Sequence, residues 1–132
     1  MDATVETRPE AAPREHPPVS DFALWTSVLT GPVVFLVNME VNYVMTDWAC
    51  ESGTTWALHL AHLIALAIVV AGGLLGLSLW RRVGQQWPDP GGGSVSRSRM
   101  LAAVGALGCA LFAVCIVAEW ITVVVLGSCL RA

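Results

Sequence analysis

Three long apolar runs constrain this chain more than any other feature. They lie near residues 22–46, 56–80 and 100–130, hold almost no charge, and leave nearly all charged residues to the connections. Crossing the hydrocarbon core of a bilayer takes roughly 20 mainly apolar residues at about 1.5 Å rise each, and each run is long enough. Charged residues make up 13% of the 132-residue chain, against about 25% in an ordinary soluble domain. The expected fold is therefore all-α, an integral membrane bundle of three transmembrane helices. Residues 21–131 form this membrane domain, with helices over about 22–47, 55–81 and 99–130 and no length left for a soluble domain.

The connections carry the remaining information. Residues 1–20 are rich in Pro, Glu, Arg and Ala without periodicity, a composition that cannot bury enough apolar surface to fold alone. They are expected as a disordered tail. Ser20 or Asp21 is placed to cap the first helix. Gly31-Pro32 falls inside that helix, where proline removes a backbone donor and favours a kink. The stretch "DWACESGTT" (47–55) reads as a turn, and 83–98, with "PDPGGGS", reads as a flexible loop.

Arginine placement sets the expected orientation. Arg8 and Arg14 precede the first run, and Arg81, Arg82, Arg97 and Arg99 bracket the second connection. The first connection has no basic residue, and only Arg131 follows the third run. Connections rich in Arg stay on the cytoplasmic side. The N-terminus and the 83–98 loop are thus expected in the cytoplasm, and the first turn and C-terminus in the periplasm, for a multi-pass protein of a bacterial inner membrane. The net charge of −3 gives no reason to expect nucleic acid.

Polar residues concentrate in the outer half of this arrangement. On the first helix Asn38, Asn42 and Thr46 share one face, and Glu40, Tyr43 and Asp47 share another. His59 and His62 are i, i+3 neighbours near the start of the second helix. Glu119 lies about 16 Å from the outer end of the third. Asn38, Glu40, Asn42, Tyr43, His59, His62 and Glu119 are expected to gather into a polar pocket or interface opening outward. Ionisable residues within a membrane are costly and face protein or water, so Glu40 and Glu119 are its sharpest members. The two histidines are a possible metal or haem ligand pair, although structural hydrogen bonding is the commoner use of such spacing.

The inner half carries Gly72-x-x-x-Gly76 on the second helix and Gly105 and Gly108 on the third. Small residues let helices approach closely in lipid, so these glycines are expected to pack the second helix on the third. Cys109 and Cys115 read as packing residues. Cys50 and Cys129 fall at the outer ends of parallel helices and are expected to be able to pair in an oxidising periplasm. No nucleophile–base pair, phosphate loop or other catalytic signature is present.

The order Trp25…Gly31-Pro32…Tyr43…Trp48-Ala49-Cys50…His59 resembles a group of small bacterial membrane proteins whose genes often lie beside those of haem–copper terminal oxidases. The resemblance covers residues 25–62. It implies association with respiratory-chain components, as a small subunit or assembly helper, and identifies no ligand.

The expected function is a non-catalytic accessory or assembly component of a respiratory membrane complex. Its partners would be the bilayer and another membrane protein, or a second copy of itself. Two alternatives compete. One is a redox protein binding haem or copper through His59 and His62, and the other is a proton-coupled small transporter acting as an oligomer through Glu40 or Glu119. No motif in the chain specifies a cofactor, so none is the expected reading, and haem or copper belongs to the redox alternative alone.

Overall fold

A computed structural model describes residues 19–87 and 90–126. It is all-helical: α1 spans Asp21–Ser52, α2 Trp56–Arg82 and α3 Ser94–Leu126. All three are long and apolar enough to cross a membrane, and each packs against the other two. The 1–20 tail, apart from its last two residues, and the end of the third apolar run lie outside the described residues.

Two helix ends differ from the sequence expectation. The first helix does not stop at residue 47 but continues to Ser52. Residues 47–52 contain no helix breaker, and Ala49 in this extension is 1% exposed. The helix ends where Gly53 adopts φ 66°, a left-handed conformation that glycine takes without a Cβ clash. The third helix starts at Ser94 rather than 99. Gly93, at φ 111°, is the last residue that cannot be helical, and its carbonyl accepts the first helical bond, from Arg97 N–H at 3.1 Å. The 83–98 loop thus shortens to 83–93. Arg99 Nε clamps it by donating to the Val83 carbonyl at 2.8 Å.

At the other end, Ser20 occupies the N-cap position of α1 but its side chain makes no capping bond. Its carbonyl accepts from Leu24 N–H at 3.2 Å. Helix α1 runs unbroken through Pro32.

Glycine contacts fix the register. A Cβ on Gly76 would lie 2.8 Å from the Ala106 backbone nitrogen, so α2 and α3 touch backbone to backbone there. Gly72 faces α1 as well as α3, with Thr30 Cγ2 2.7 Å and Cys109 Sγ 3.3 Å from the same hypothetical atom. A Cβ on Gly105 would meet Ser27 of α1 first, and one on Gly108 would meet nothing within 4 Å. The expected four-glycine seam between α2 and α3 is therefore reduced to Gly72 and Gly76. A stripe read from spacing alone cannot tell which of two neighbours a small residue will face. Gly31 of α1, named above only for its place beside Pro32, seats Phe112 of α3.

These contacts order the bundle. Along α1, Ser27, Gly31 and Asn38 meet Gly105, Cys109 and Glu119 of α3, so these two helices are parallel. Helix α2 runs against both. Its core contacts are Ala65 and Val69 with Cys109 and Ile116 in mid-bundle, and Leu79 with Leu24 and Ala102 at the α2–α3 connection end. The outward faces stay apolar: Leu36, Leu74, Leu107, Leu111 and Val124 are all exposed. In water such faces would aggregate, whereas a bilayer or a partner helix covers them at no polar cost.

Candidate functional site

The polar residues divide according to the two faces of α1. Asn38, Asn42 and Thr46, four residues apart, turn towards the bundle, and Asn38 is 3% exposed. Glu40, Tyr43 and Asp47 turn away and are exposed. Of the seven residues expected to cluster, the structure brings together Asn38, Asn42, His62 and Glu119, with His59 joined through Trp120. Glu40 and Tyr43 lie outside the cluster. A helix can present only one face to a given neighbour, and a 100° step separates the two sets.

The cluster ties all three helices together. Asn38 Nδ2 donates to Glu119 Oε2 at 3.1 Å, joining α1 to α3. Asn42 Nδ2 donates to the Asn38 carbonyl at 2.8 Å and faces His62 Nε2 at 3.4 Å, joining α1 to α2. His62 is 1% exposed, and its Nδ1 faces the Leu58 carbonyl at 2.8 Å. A carbonyl can only accept, so Nδ1 carries the hydrogen and, in the neutral ring, Nε2 accepts from Asn42. Trp120 Nε1 donates to His59 Nδ1 at 2.8 Å, joining α3 to α2. Its ring also stacks on His62, with centroids 6.1 Å apart and planes 16° apart. Thr46 and Thr122 return their hydroxyls to the carbonyls of Asn42 and Glu119, both at 2.6 Å.

Among the described residues, the members of this network bond to one another across the three helices. Both imidazole lone pairs are engaged, by Trp120 at His59 and by Asn42 at His62. A metal or haem iron at either ring would have to displace an existing hydrogen bond. Among the described residues, no three His, Cys, Asp or Glu side chains are grouped to hold a metal ion. Two acceptors are left over, Asn38 Oδ1 and Asn42 Oδ1, both buried without a partner among the described residues. Flipping Asn38 would not help, because its carbonyl would then face the Glu119 carboxylate. The chemistry present is that of a lock between helices.

Trp120 was not among the expected site residues. The signal was available: an indole N–H in the interior of a membrane bundle needs an acceptor, and His59 lies at matching depth once α2 and α3 are antiparallel. Cys50 is disulfide-bonded, and Cys109 and Cys115 are free thiols. Cys129, expected as the partner of Cys50, lies outside the described residues.

Three helices able to span a bilayer, joined by one buried polar network, define the class: a multi-pass helical membrane protein. Comparison with family models, curated proteins and solved structures finds no significant match.

Proposed function

We propose that this chain is a non-catalytic accessory or assembly component of a larger membrane complex, held in a bacterial inner membrane with its N-terminus and α2–α3 connection in the cytoplasm. The orientation rests on the arginine distribution, and the respiratory setting rests on the resemblance of residues 25–62.

The observation that carries the reading is Glu40. Trp25 and Trp48, both 46% exposed, suit the two interfacial belts and stand about 34 Å apart along α1. Glu40 lies about 12 Å inward of Trp48, on the outward face beside Tyr43, which is 81% exposed. A carboxylate at that depth facing lipid costs several kcal/mol, and such residues pair or face protein. Among the described residues the polar partners join Asn38, Asn42, His59, His62 and Glu119 and none reaches Glu40, which favours relief of Glu40 by another molecule.

The redox alternative is weaker because both histidine lone pairs already accept hydrogen bonds. The transporter alternative is weaker because its two carboxylates are kept apart: Glu119 accepts from Asn38 within the bundle, and Glu40 lies on the outward face of α1. Purification of the tagged chain in mild detergent tests the proposal. A membrane protein should co-purify in fixed ratio and be depleted by Glu40→Ala. A chain that purifies alone, or an absorption spectrum and metal analysis showing bound haem or copper, would overturn it.

A further inference from the structure

We infer that the groove between α1 and α2 seats a transmembrane helix of a different chain, one that places a basic side chain opposite Glu40. The inference rests on the accessory-component reading and names the seat and chemistry of the partner.

The groove is built from two adjoining depressions of about 340 and 320 Å³ that share Val33, Val34 and Ile68. It extends along α1 from Phe22 to Val41, a length of about 28 Å, close to the roughly 30 Å hydrocarbon thickness of a bilayer. Ala61 and Ala65 of α2 contribute small side chains to its wall, the kind that admit a second helix at short range.

Glu40 runs along its edge. Val33, Val37, Glu40 and Val44 follow the i, i+4, i+7, i+11 spacing of one helical stripe, and all four are exposed. A helix lying in the groove therefore touches Glu40 from the side. An acyl chain would fill the same space but offers no hydrogen-bond donor at that depth.

Charge excludes a second copy of this chain as the occupant. Every Arg of the sequence, at 8, 14, 81, 82, 97, 99 and 131, lies at or beyond the ends of the apolar runs, and there is no Lys. No span of a second copy brings a fixed cation to the level of Glu40, and apposing two α1 faces would set Glu40 against Glu40. A partner span with one Arg or Lys near its middle satisfies both the groove and the carboxylate.

The test uses the full chain in lipid nanodiscs and a synthetic Leu/Ala transmembrane peptide bearing one Arg about 12 Å from its end, beside an identical peptide with Leu there. The Arg peptide should bind about tenfold more tightly. It should cross-link to a benzoylphenylalanine placed at Val37, lose its advantage with Glu40→Gln, and be blocked by Val37→Trp but not by Leu111→Trp on α3. Equal binding of the two peptides overturns the inference. So does a Val37 probe that links two copies of this chain, or that reaches only lipid in native membranes. If in those membranes a Val114 probe on α3 reaches another chain while the Val37 probe does not, the groove is wrong and the accessory reading stands. If neither probe reaches another chain, both fall.

Discussion

Asn38 of α1 and Glu119 of α3 are hydrogen-bonded at 3.1 Å although 81 residues separate them in the chain. In lipid, an interhelical bond of this kind contributes about 0.6–2 kcal/mol, and a partner removed from a buried pair leaves the other unsatisfied at about 1–3 kcal/mol. Asn38→Leu is therefore expected to destabilise the bundle by about that amount. Glu119→Gln should cost less, since its amide oxygen still accepts from Asn38. Unfolding in mixed micelles measures both. A double-mutant cycle should show coupling between Asn38 and Glu119 and much less between His62 and Glu119, because His62 answers to Asn42 instead.

Trp120 acts twice, and two substitutions separate the roles. Trp120→Phe removes the N–H that reaches His59 and keeps an aromatic face over His62. The expected loss is about 0.5–1.5 kcal/mol, that of one hydrogen bond. Trp120→Ala removes the stack and the bond together and should cost clearly more. Equal losses would mean that the hydrogen bond, and not the ring, holds α3 to α2 at this level.

The parts of this architecture that were legible in the sequence are those fixed by local composition. Three spans follow from runs such as 56–80 because no other structure satisfies that much backbone in lipid. The helical wheel also separated Asn38, Asn42 and Thr46 from Glu40, Tyr43 and Asp47. Grouping Glu40 and Tyr43 with the histidines mistook a shared depth for a shared face. Trp120 and the Asn38–Glu119 bond needed the register of three helices, which Gly31, Gly72, Gly76 and Gly105 set through contacts between helices. The extent of α1 to Ser52 was hidden because Asp47 and Cys50 look like turn residues. Only Gly53 supplies the left-handed stop.

The glycines offer a contrasting pair. At Gly76 a methyl group would meet the Ala106 backbone at 2.8 Å, and backbone can yield only by moving α3 away. Gly76→Ala should destabilise by about 1–3 kcal/mol, the usual range for overpacking. Gly108 has nothing within 4 Å, so Gly108→Ala should be neutral or stabilising by up to about 1 kcal/mol through helix propensity. Thermal unfolding of the two variants side by side checks the register of α2 on α3. Similar effects at both positions would place the helix contact elsewhere.

The last prediction joins the disulfide to the orientation. Contacts between the parallel helices α1 and α3 are separated by 81 residues at Asn38–Glu119 and 82 at Ser27–Cys109. Cys50 and Cys129 are 79 residues apart in the sequence, within about one helical turn of that offset. Cys50 is disulfide-bonded, and the partner expected from this register is Cys129. Disulfides form and persist mainly on the oxidising side of a membrane, the side on which the proposed orientation puts the α1–α2 turn. Reporter fusions should therefore report residue 90 in the cytoplasm and residue 132 outside. Mass spectrometry after non-reducing digestion should recover the peptides of Cys50 and Cys129 linked. Cys50→Ser should lower stability by about 2–4 kcal/mol and abolish any effect of reductant on unfolding. A cytoplasmic C-terminus, or free thiols at both positions in protein taken from intact cells, would show that the two cysteines do not share an oxidising face.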